Sequence, residues 1–343
     1  MVIAKRLASA SHRCAVKCRW GVTLVEIIVV ISIVGLLAAI ILPAVQAARG
    51  ASQRMQCANN QRQLLLAIAS YHDTYRAFPP CWGWPGAGGC SRETAMTRLF
   101  PFLGLPSICD VLSSDVRRLP ILECPSDPEI ALVQTPLSYI LNGSPGQSSG
   151  VPYHGPFEDV PNRVVCSADI TDGLSNTAAM SENITMRAGG SSTDATREPR
   201  RYAWNVFVPI LSPPCLYNSG TPPCLAERTQ QTDDSIVDCL NGPRDFIPSP
   251  FVKGGQWGMG DFGGVATWTY SHWYPPNSPW CFGGSLTDLT FITNNQRAAS
   301  AHSGGVNVGF LDCHVRFVGD QVDQAIWRAI GTRDGGETNG ELP

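Results

Sequence analysis

The chain has 343 residues, of which 43% are hydrophobic and 15% charged, and its formal net charge is −3. This composition excludes a disordered protein and indicates one sizeable globular domain with insertions, because the chain also contains 33 glycines and 27 prolines. Residues 1–21 carry five Lys or Arg side chains and no acid, so without that segment the net charge would be −8. The remainder offers no basic patch for nucleic acid.

The first element is an apolar segment from Val22 to Leu42, which contains a single charged side chain, Glu26. As a helix it would be about 30 Å long, the thickness of the hydrocarbon layer of a membrane. The basic segment before it predicts a cytoplasmic N-terminus, because Lys and Arg favour that side. The sequence therefore predicts a basic leader over 1–21, a transmembrane and assembly helix over 22–75, and an extracytoplasmic globular domain over 76–343.

Three interpretations of this segment compete. A secretory signal peptide also begins with basic residues, but its apolar core is typically about 7–15 residues long. An ordinary membrane anchor accounts for the length but not for Glu26, because a carboxylate inside a bilayer is costly and needs a partner. Cleavage just before Val22 would create that partner, since a free α-amino group and the positive end of a helix dipole both favour a nearby carboxylate.

The residues GVTLVE at 21–26, followed by the apolar segment, resemble the processing signal of type IV prepilins and pseudopilins of the general secretion pathway G-like class. The resemblance implies that a prepilin peptidase cuts after Gly21 and methylates the new terminus at Val22. It also implies that Glu26 pairs with the amine of a neighbouring subunit during assembly. The chain departs from the usual pattern at Val22, where that family commonly has phenylalanine.

The helical pattern continues to about Tyr71, with small and apolar residues at steps of three and four. These residues predict a buried face on the second half of the helix: Ala44, Ala47, Ala48, Ala51, Met55, Ala58, Leu65, Ile68 and Ala69. Gly35 and Pro43 weaken the helix between them, because Pro43 has no N–H to donate. In pilin-like filaments the helix loosens at about these places, and the resemblance implies the same here.

Thirteen cysteines are many for a cytosolic protein, so the sequence predicts disulfides formed in an oxidising, extracytoplasmic compartment. No CxxC pair occurs, and a zinc site of the usual spacing is therefore not expected. Cys81 with Cys90, and Cys215 with Cys224, would each close a short loop. The sequence alone leaves the connectivity open.

Five later segments resemble, in order, a large pseudopilin-like family whose globular domain has no known function. They are CANNQRQL at 57–64, RLFPFL at 98–103 with CPSDP at 124–128, ITDGLSNT at 170–177 with Glu182, PPNS at 275–278, and HSGGVNVGFLD at 302–312 continuing to WRAIGTR at 327–333. Together they span nearly the whole mature chain. The chain departs from this family at Cys313, since Asp-Gly is usual where Asp312-Cys313 stands here.

Residues 306–310 and 314–318 alternate apolar and polar side chains around a turn at 311–313, which predicts a β-hairpin. A glycine at the position of Cys313 would supply the positive φ of a tight turn. Cys313 therefore implies either a different turn or a tertiary restraint such as a disulfide. A short helix over 321–330 follows, and the expected fold is α+β: the long helix on an antiparallel sheet, pilin-like, with loop-rich insertions.

His302 and Asp312 begin and end the first hairpin strand, about 30 Å apart if it is extended, so we expect structural roles for them. A calcium ion shared by Asp172 and Glu182 is an alternative that the sequence leaves open, although such a site needs about six oxygen ligands or more. The sequence has no catalytic triad, phosphate loop or zinc protease motif. It therefore predicts no catalytic residue, no metal and no cofactor, and a protein that is not an enzyme.

Four tryptophans lie close together among glycines and prolines: Trp257, Trp268, Trp273 and Trp280. If exposed, their rings would stack against sugar rings or a partner protein. A small core beneath a long loop is the simpler interpretation of the same residues.

Two functions follow from these features. The first is a structural subunit of a type II secretion pseudopilus or a type IV pilus-like filament. Its expected partners are prepilin peptidase/methyltransferase, other pilin-like subunits, the assembly machinery and the inner membrane, with the globular domain outside the cytoplasm or at the cell surface. The alternative is a membrane-tethered module that binds glycan or an envelope protein through its tryptophans.

Overall fold

The computed structural model describes residues 23–80, 94–106, 118–132, 136–143, 155–157, 164–185, 203–205, 245–247, 269–272, 274–282 and 297–336. By its contacts the chain divides into two units, Met1–Arg49 and Gly50–Pro343. The described part of the first unit is helical. The second unit contains two sheets and several short helices.

The long helix, α1, runs from Leu24 to Tyr75, close to the predicted bounds. Every residue from 23 to 50 is exposed, including the large apolar side chains of the segment after Thr23. The helix is continuous through Gly35 and Pro43. The predicted loosening between these two residues concerns the assembled filament and stays a prediction.

Within the second unit, α1 has a buried face made of Cys57, Gln61, Leu64, Leu65, Ala67, Ile68 and Tyr71. The prediction is confirmed for Leu65 and Ile68 and wrong for the earlier residues 44, 47, 48, 51 and 55, which are exposed. Alanine has little apolar surface to bury, so the larger side chains after Cys57 determine which face is covered.

The sheet, rather than the helix, has the small residue where the two approach each other closely. A Cβ atom built on Gly309 would lie 2.7 Å from Cδ1 of Leu65 and 3.1 Å from Cγ of Met180. Any larger residue at Gly309 would displace the Leu65 side chain.

Eight strands are described: β1 Tyr139–Asn142, β2 Ala178–Glu182, β3 Ala203–Asn205, β4 Asp245–Ile247, β5 Thr269–Tyr270, β6 Trp280–Phe282, β7 Gly305–Phe310 and β8 Val315–Gly319. Five form one sheet in the order β5-β1-β2-β7-β8, and three form a second in the order β4-β3-β6. The pairs β1–β2, β2–β7 and β7–β8 are antiparallel, whereas β1–β5 is parallel. The predicted α+β class is confirmed.

The predicted hairpin is β7–β8, paired from Gly305 opposite Gly319 to Gly309 opposite Val315. Cys313 adopts a φ of 72° and is a free thiol. The expectation of a different turn is therefore wrong, because Cys313 takes the left-handed conformation that suits glycine, and the restraint on the turn is not a disulfide. The turn is held instead by backbone hydrogen bonds, from Leu311 N–H to Thr177 O and from Cys313 N–H to Phe310 O.

The described part also contains two short α-helices, α2 (Ala95–Arg98) and α3 (Gln324–Ala329). Four described segments form 3-10 helices: Phe100–Leu103, Pro120–Leu122, Pro128–Leu132 and Ser167–Asp169. Asp323 caps α3 by accepting hydrogen bonds from the N–H groups of Ala325 and Ile326. Trp327 of α3 is fully buried and donates its indole N–H to Tyr274 O at 2.8 Å. This helix lies within the predicted range of 321–330.

Candidate functional site

The first candidate is the N-terminal end of α1, where Thr23 and Glu26 form a capping box. The backbone N–H and the hydroxyl of Thr23 both donate to Oε2 of Glu26 at 2.8 Å, and Glu26 N–H donates to Oγ1 of Thr23 at 3.3 Å. Thr23 is therefore a local partner of Glu26, which the sequence analysis did not consider. In this chain Glu26 is satisfied as a helix cap, and a role in assembly would come in addition.

The apolar part of α1 has the length and composition of a membrane-spanning helix. It belongs to a 52-residue helix, and its residues 24–50 are exposed along their whole length. An exposed surface of this kind requires lipid or other apolar helices to cover it. The chain therefore has the features of a single-pass membrane anchor.

The second candidate lies in the globular unit, where a carboxylate and an imidazole are buried together. Glu182 ends β2 and His302 precedes β7, and their side chains are 1% and 5% exposed. Nε2 of His302 lies 3.0 Å from Oε1 of Glu182. Asn307 donates two further hydrogen bonds to Glu182, each at 2.8 Å, from its backbone N–H to Oε2 and from Nδ2 to Oε1. Both carboxylate oxygens therefore have partners, as burial requires.

A disulfide between Cys57 of α1 and Cys124 lies beside this pair. Sγ of Cys124 is 3.7 Å from Nε2 of His302, and both sulfur atoms belong to buried residues. One sulfur, nitrogen or oxygen atom from each of Cys57, Cys124, Glu182 and His302 lies within 4.8 Å of the others. We call these four residues the central cluster.

Neighbouring segments hold the members of the central cluster in place. Cys124 N–H donates to Oγ of Ser138 at 3.0 Å, which fixes the backbone beside the disulfide. His302 N–H donates to Oγ of Ser300 at 3.1 Å, and that hydroxyl donates to Gly305 O at 2.6 Å. The loop before β7 is therefore tied to the strand that it enters.

Tyr139 of β1 lies opposite Glu182 in the β1–β2 ladder. Burial, and then the charge of Glu182, raise the pKa of the Tyr139 phenol far above its usual value. Tyr139 consequently stays protonated and donates its O–H to Glu123 O at 3.4 Å. Tyr139 therefore adds no negative charge opposite Glu182.

The structure assigns separate partners to His302 and Asp312. Asp312 lies in the hairpin turn, where Oδ1 is 2.5 Å from Nδ1 of His314 and accepts the His314 N–H at 3.2 Å. This arrangement agrees with a structural role for Asp312. His302 contacts Glu182 and Cys124 instead, which the sequence did not indicate.

The calcium site considered for Asp172 and Glu182 is not formed. Asp172 accepts the backbone N–H groups of Gly335 and Gly336, each at 2.9 Å, and the hydroxyl of Thr332 at 3.3 Å. These donors use both carboxylate oxygens to fasten the segment after α3. Glu182 belongs to the central cluster and shares none of these partners.

Several predicted residues lie outside the described part of the chain: Gly21, Val22, Cys81, Cys90, Cys215, Cys224, Trp257, Trp268 and Trp273. Trp280 lies in β6, and its side chain is likewise outside the description. The processing signal, the two short-loop disulfides and the aromatic binding surface therefore stay predictions.

Sequence reasoning missed the central cluster, although each of its members lies in or beside a motif that the sequence made visible. Cys57 begins CANNQRQL, Cys124 begins CPSDP, Glu182 follows ITDGLSNT and His302 begins HSGGVNVGFLD. His302 contacts Cys124 and Glu182, which lie 178 and 120 positions earlier in the chain. Spacing within one segment cannot reveal such contacts.

The family described as protein of unknown function (DUF1559) matches residues 46–325 of the chain, a range that includes all four members of the central cluster. No curated protein and no solved structure matches the chain.

Proposed function

We propose that this chain, which belongs to the family of proteins of unknown function DUF1559, is a pilin-like structural subunit. Its N-terminal helix would both anchor it in the membrane and assemble it with other subunits. The filament would be a type II secretion pseudopilus or a type IV pilus-like fibre. The observation that carries the proposal is an exposed apolar helix, 24–50, that begins with a carboxylate five residues after Gly21.

The exposed apolar surface of the helix supports both anchoring in the membrane and assembly with other subunits. Before assembly, lipid covers its apolar side chains, as for any single-pass anchor. In a filament, the same side chains pack against the helices of neighbouring subunits, and the exposed apolar surface is removed from lipid without being exposed to water. One segment can therefore serve in both states.

The position of Glu26 supports the same proposal. Thr23 satisfies the carboxylate within one chain, which lowers the cost of placing Glu26 near the end of the membrane span. Cleavage after Gly21 would add a charged amine at Val22, and the amine of a neighbouring subunit would then pair with Glu26. The capping contact and this intermolecular pair are distinguishable, because only the second requires the negative charge.

The proposal implies an inner-membrane precursor with a cytoplasmic leader and an extracytoplasmic globular domain. The partners it requires are a prepilin peptidase/methyltransferase, other pilin-like subunits and an assembly machine. It gives the chain a structural role, without catalysis, a cofactor or nucleic acid.

The N-terminus of the mature protein tests the proposal. Mass spectrometry of protein purified from its native membrane should find N-methylated Val22 as the first residue, and Gly21→Val should accumulate the uncut chain. A mature chain that begins at Met1, or at Ala48 as a signal peptidase product would, contradicts the proposal.

A further inference from the structure

We propose that the central cluster is a zinc site when the Cys57–Cys124 disulfide is reduced, with Cys57 Sγ, Cys124 Sγ, His302 Nε2 and a Glu182 oxygen as its four ligands. The metal and the disulfide are then alternative occupants of the same two sulfur atoms. This inference does not depend on the pilin-like role.

The first argument for a zinc site is the chemistry of the side chains around the Cys57–Cys124 disulfide. A disulfide is neutral and apolar, so it needs no charged or basic group beside it. Here a carboxylate and an imidazole are buried against one, with the Glu182 side chain 1% exposed and the His302 side chain 5% exposed. Burying such groups is costly. Thiolate, imidazole and carboxylate together are the ligand types that zinc uses in proteins.

The second argument is the set of distances between the four proposed ligand atoms. Zinc lies about 2.3 Å from thiolate sulfur and about 2.0–2.1 Å from imidazole nitrogen, so tetrahedral ligand atoms are roughly 3.3–3.8 Å apart. Nε2 of His302 is 3.7 Å from Cys124 Sγ and 3.0 Å from Glu182 Oε1, and no two of the four atoms are more than 4.8 Å apart. Once the disulfide opens, rotation of the two cysteine side chains is the main change required.

The third argument is that neighbouring residues already hold the proposed ligands by hydrogen bonds, as is usual for the ligands of a metal. Asn307 donates two hydrogen bonds to Glu182, which orient the carboxylate towards His302. The backbone of His302 is fixed through Ser300, and that of Cys124 through Ser138. The ligands therefore come from four segments whose positions are already set by the fold.

The disulfide form and the zinc-bound form interconvert with electrons and protons in balance. A dithiol reductant gives two electrons and two protons to the Cys57–Cys124 disulfide, which becomes two thiols while the reductant becomes a disulfide. Zn²⁺ then displaces the two thiol protons, and Nε2 of His302 binds as a neutral imidazole nitrogen. In the reverse direction a disulfide oxidant takes two electrons from the two thiolates and, with two protons, becomes a dithiol; the Cys57–Cys124 disulfide forms again and Zn²⁺ is released.

The donor set favours zinc over calcium or magnesium. Those two ions take about six or more oxygen ligands, and the central cluster offers the oxygens of one carboxylate. Two sulfur atoms, one nitrogen and one oxygen match the softer ligands that zinc accepts. We therefore expect Ca²⁺ and Mg²⁺ not to displace Zn²⁺ from the reduced chain.

The test uses the full-length chain in detergent, freed of metal and either oxidised or reduced with a phosphine under anaerobic conditions. Zn²⁺ is added, unbound metal is removed, and the bound metal is measured by elemental analysis. We expect one tightly bound zinc per reduced chain and none at this site in the oxidised chain. X-ray absorption should then find two sulfur and two nitrogen or oxygen ligands around the zinc.

Variants locate the metal. His302→Gln should raise the zinc dissociation constant by more than about tenfold, which is the effect typical of losing a residue that only hydrogen-bonds to a metal ligand. Cys166→Ser is the matched control, since Cys166 is a free thiol outside the cluster, and should leave zinc binding unchanged. If His302→Gln does not fold, the number of sulfur ligands that X-ray absorption finds around zinc in the natural chain decides whether the metal lies in the central cluster.

Three results would overturn the proposal. The first is a reduced chain that retains no zinc. The second is zinc bound by three or four sulfur atoms, or by oxygen alone, which would place it elsewhere on the chain. The third is a folded His302→Gln variant that binds zinc as tightly as the natural chain does.

Discussion

Among single residues, His272 is a buried polar side chain that has a hydrogen-bond partner on each ring nitrogen. Nδ1 lies 2.8 Å from Trp327 O, and Nε2 lies 2.9 Å from the Tyr270 hydroxyl. The neutral ring fits these partners, with Nδ1–H donating to the carbonyl and Nε2 accepting the phenol proton. Burial lowers the pKa of His272 to about 3, and the hydrogen bond to Trp327 offsets part of that effect.

This burial predicts a loss of stability in mild acid. The folded chain keeps His272 neutral, whereas the unfolded chain binds a proton on it below a pH of about 6.5. The contribution of His272 is therefore fully present above pH 6.5 and falls, by up to about 1.4 kcal/mol per pH unit, as the pH decreases towards 3. Denaturant unfolding between pH 7 and 5 measures it.

His272→Gln is the matched variant, because its amide can both donate and accept but does not titrate. We expect it to be less stable than the natural chain at pH 7 and to have a flatter pH profile between 7 and 5. Equal slopes for the two chains would show that His272 is not the group responsible.

At the scale of elements, the β7–β8 hairpin forms although its turn contains an unfavourable residue. Cys313 has a φ of 72°, a conformation that costs a residue with a Cβ atom about 1–2 kcal/mol. The hydrogen bonds of Leu311 and Cys313, and the stacking of Phe310 on His314 at 4.3 Å, hold the turn in this form. The free energy gained by pairing five residues of β7 with five of β8 exceeds the cost of the strained backbone at Cys313.

We expect Cys313→Gly to stabilise the protein by about 1 kcal/mol, because glycine adopts positive φ without a steric cost. The gain is smaller than the full strain, since glycine has more freedom in the unfolded chain and the partly buried Cys313 side chain is lost. Thermal and denaturant unfolding measure the change.

Cys313→Ala separates the backbone from the thiol, since alanine keeps the Cβ atom and the strain. It should give no comparable gain. If the alanine and glycine variants were equally stable, the strain at Cys313 would not be the cause.

The same elements show what could be predicted from the sequence. The long helix, the hairpin and the terminal helix follow local patterns of apolar residues, and their predicted bounds lie within a few residues of those observed. The buried face of α1 was wrong before Cys57, because the spacing of small residues does not say where the sheet begins to cover them. Gly309, which lets Leu65 approach, is likewise visible only in three dimensions.

At the scale of the whole molecule, the chain combines two parts with different requirements. The helix over 24–50 exposes apolar side chains and needs lipid or other subunits to cover them. The globular unit has its own core and a disulfide that spans 67 residues, which removes about 4 kcal/mol of chain entropy from the unfolded state. A globular unit with its own core, together with a helix whose apolar surface must be covered, is the combination that the proposed pilin-like subunit requires.

The proposed assembly depends on the negative charge of Glu26, and the capping box allows that charge to be removed without disturbing the helix. Glu26→Gln keeps the cap, because glutamine serves as well as glutamate at that position, but removes the charge. Thr23→Ala weakens the cap and keeps the charge. Both variants should be processed and inserted into the membrane like the natural chain.

The decisive measurement is the amount of each variant found in sheared filaments, or cross-linked to neighbouring subunits in the cell, relative to the membrane pool. We expect this ratio to fall more than about tenfold for Glu26→Gln, the change that about 1.4 kcal/mol gives, whereas Thr23→Ala assembles nearly as the natural chain does. Normal assembly of Glu26→Gln, together with a loss in Thr23→Ala, would show instead that Glu26 acts only as a helix cap and that assembly does not need its charge.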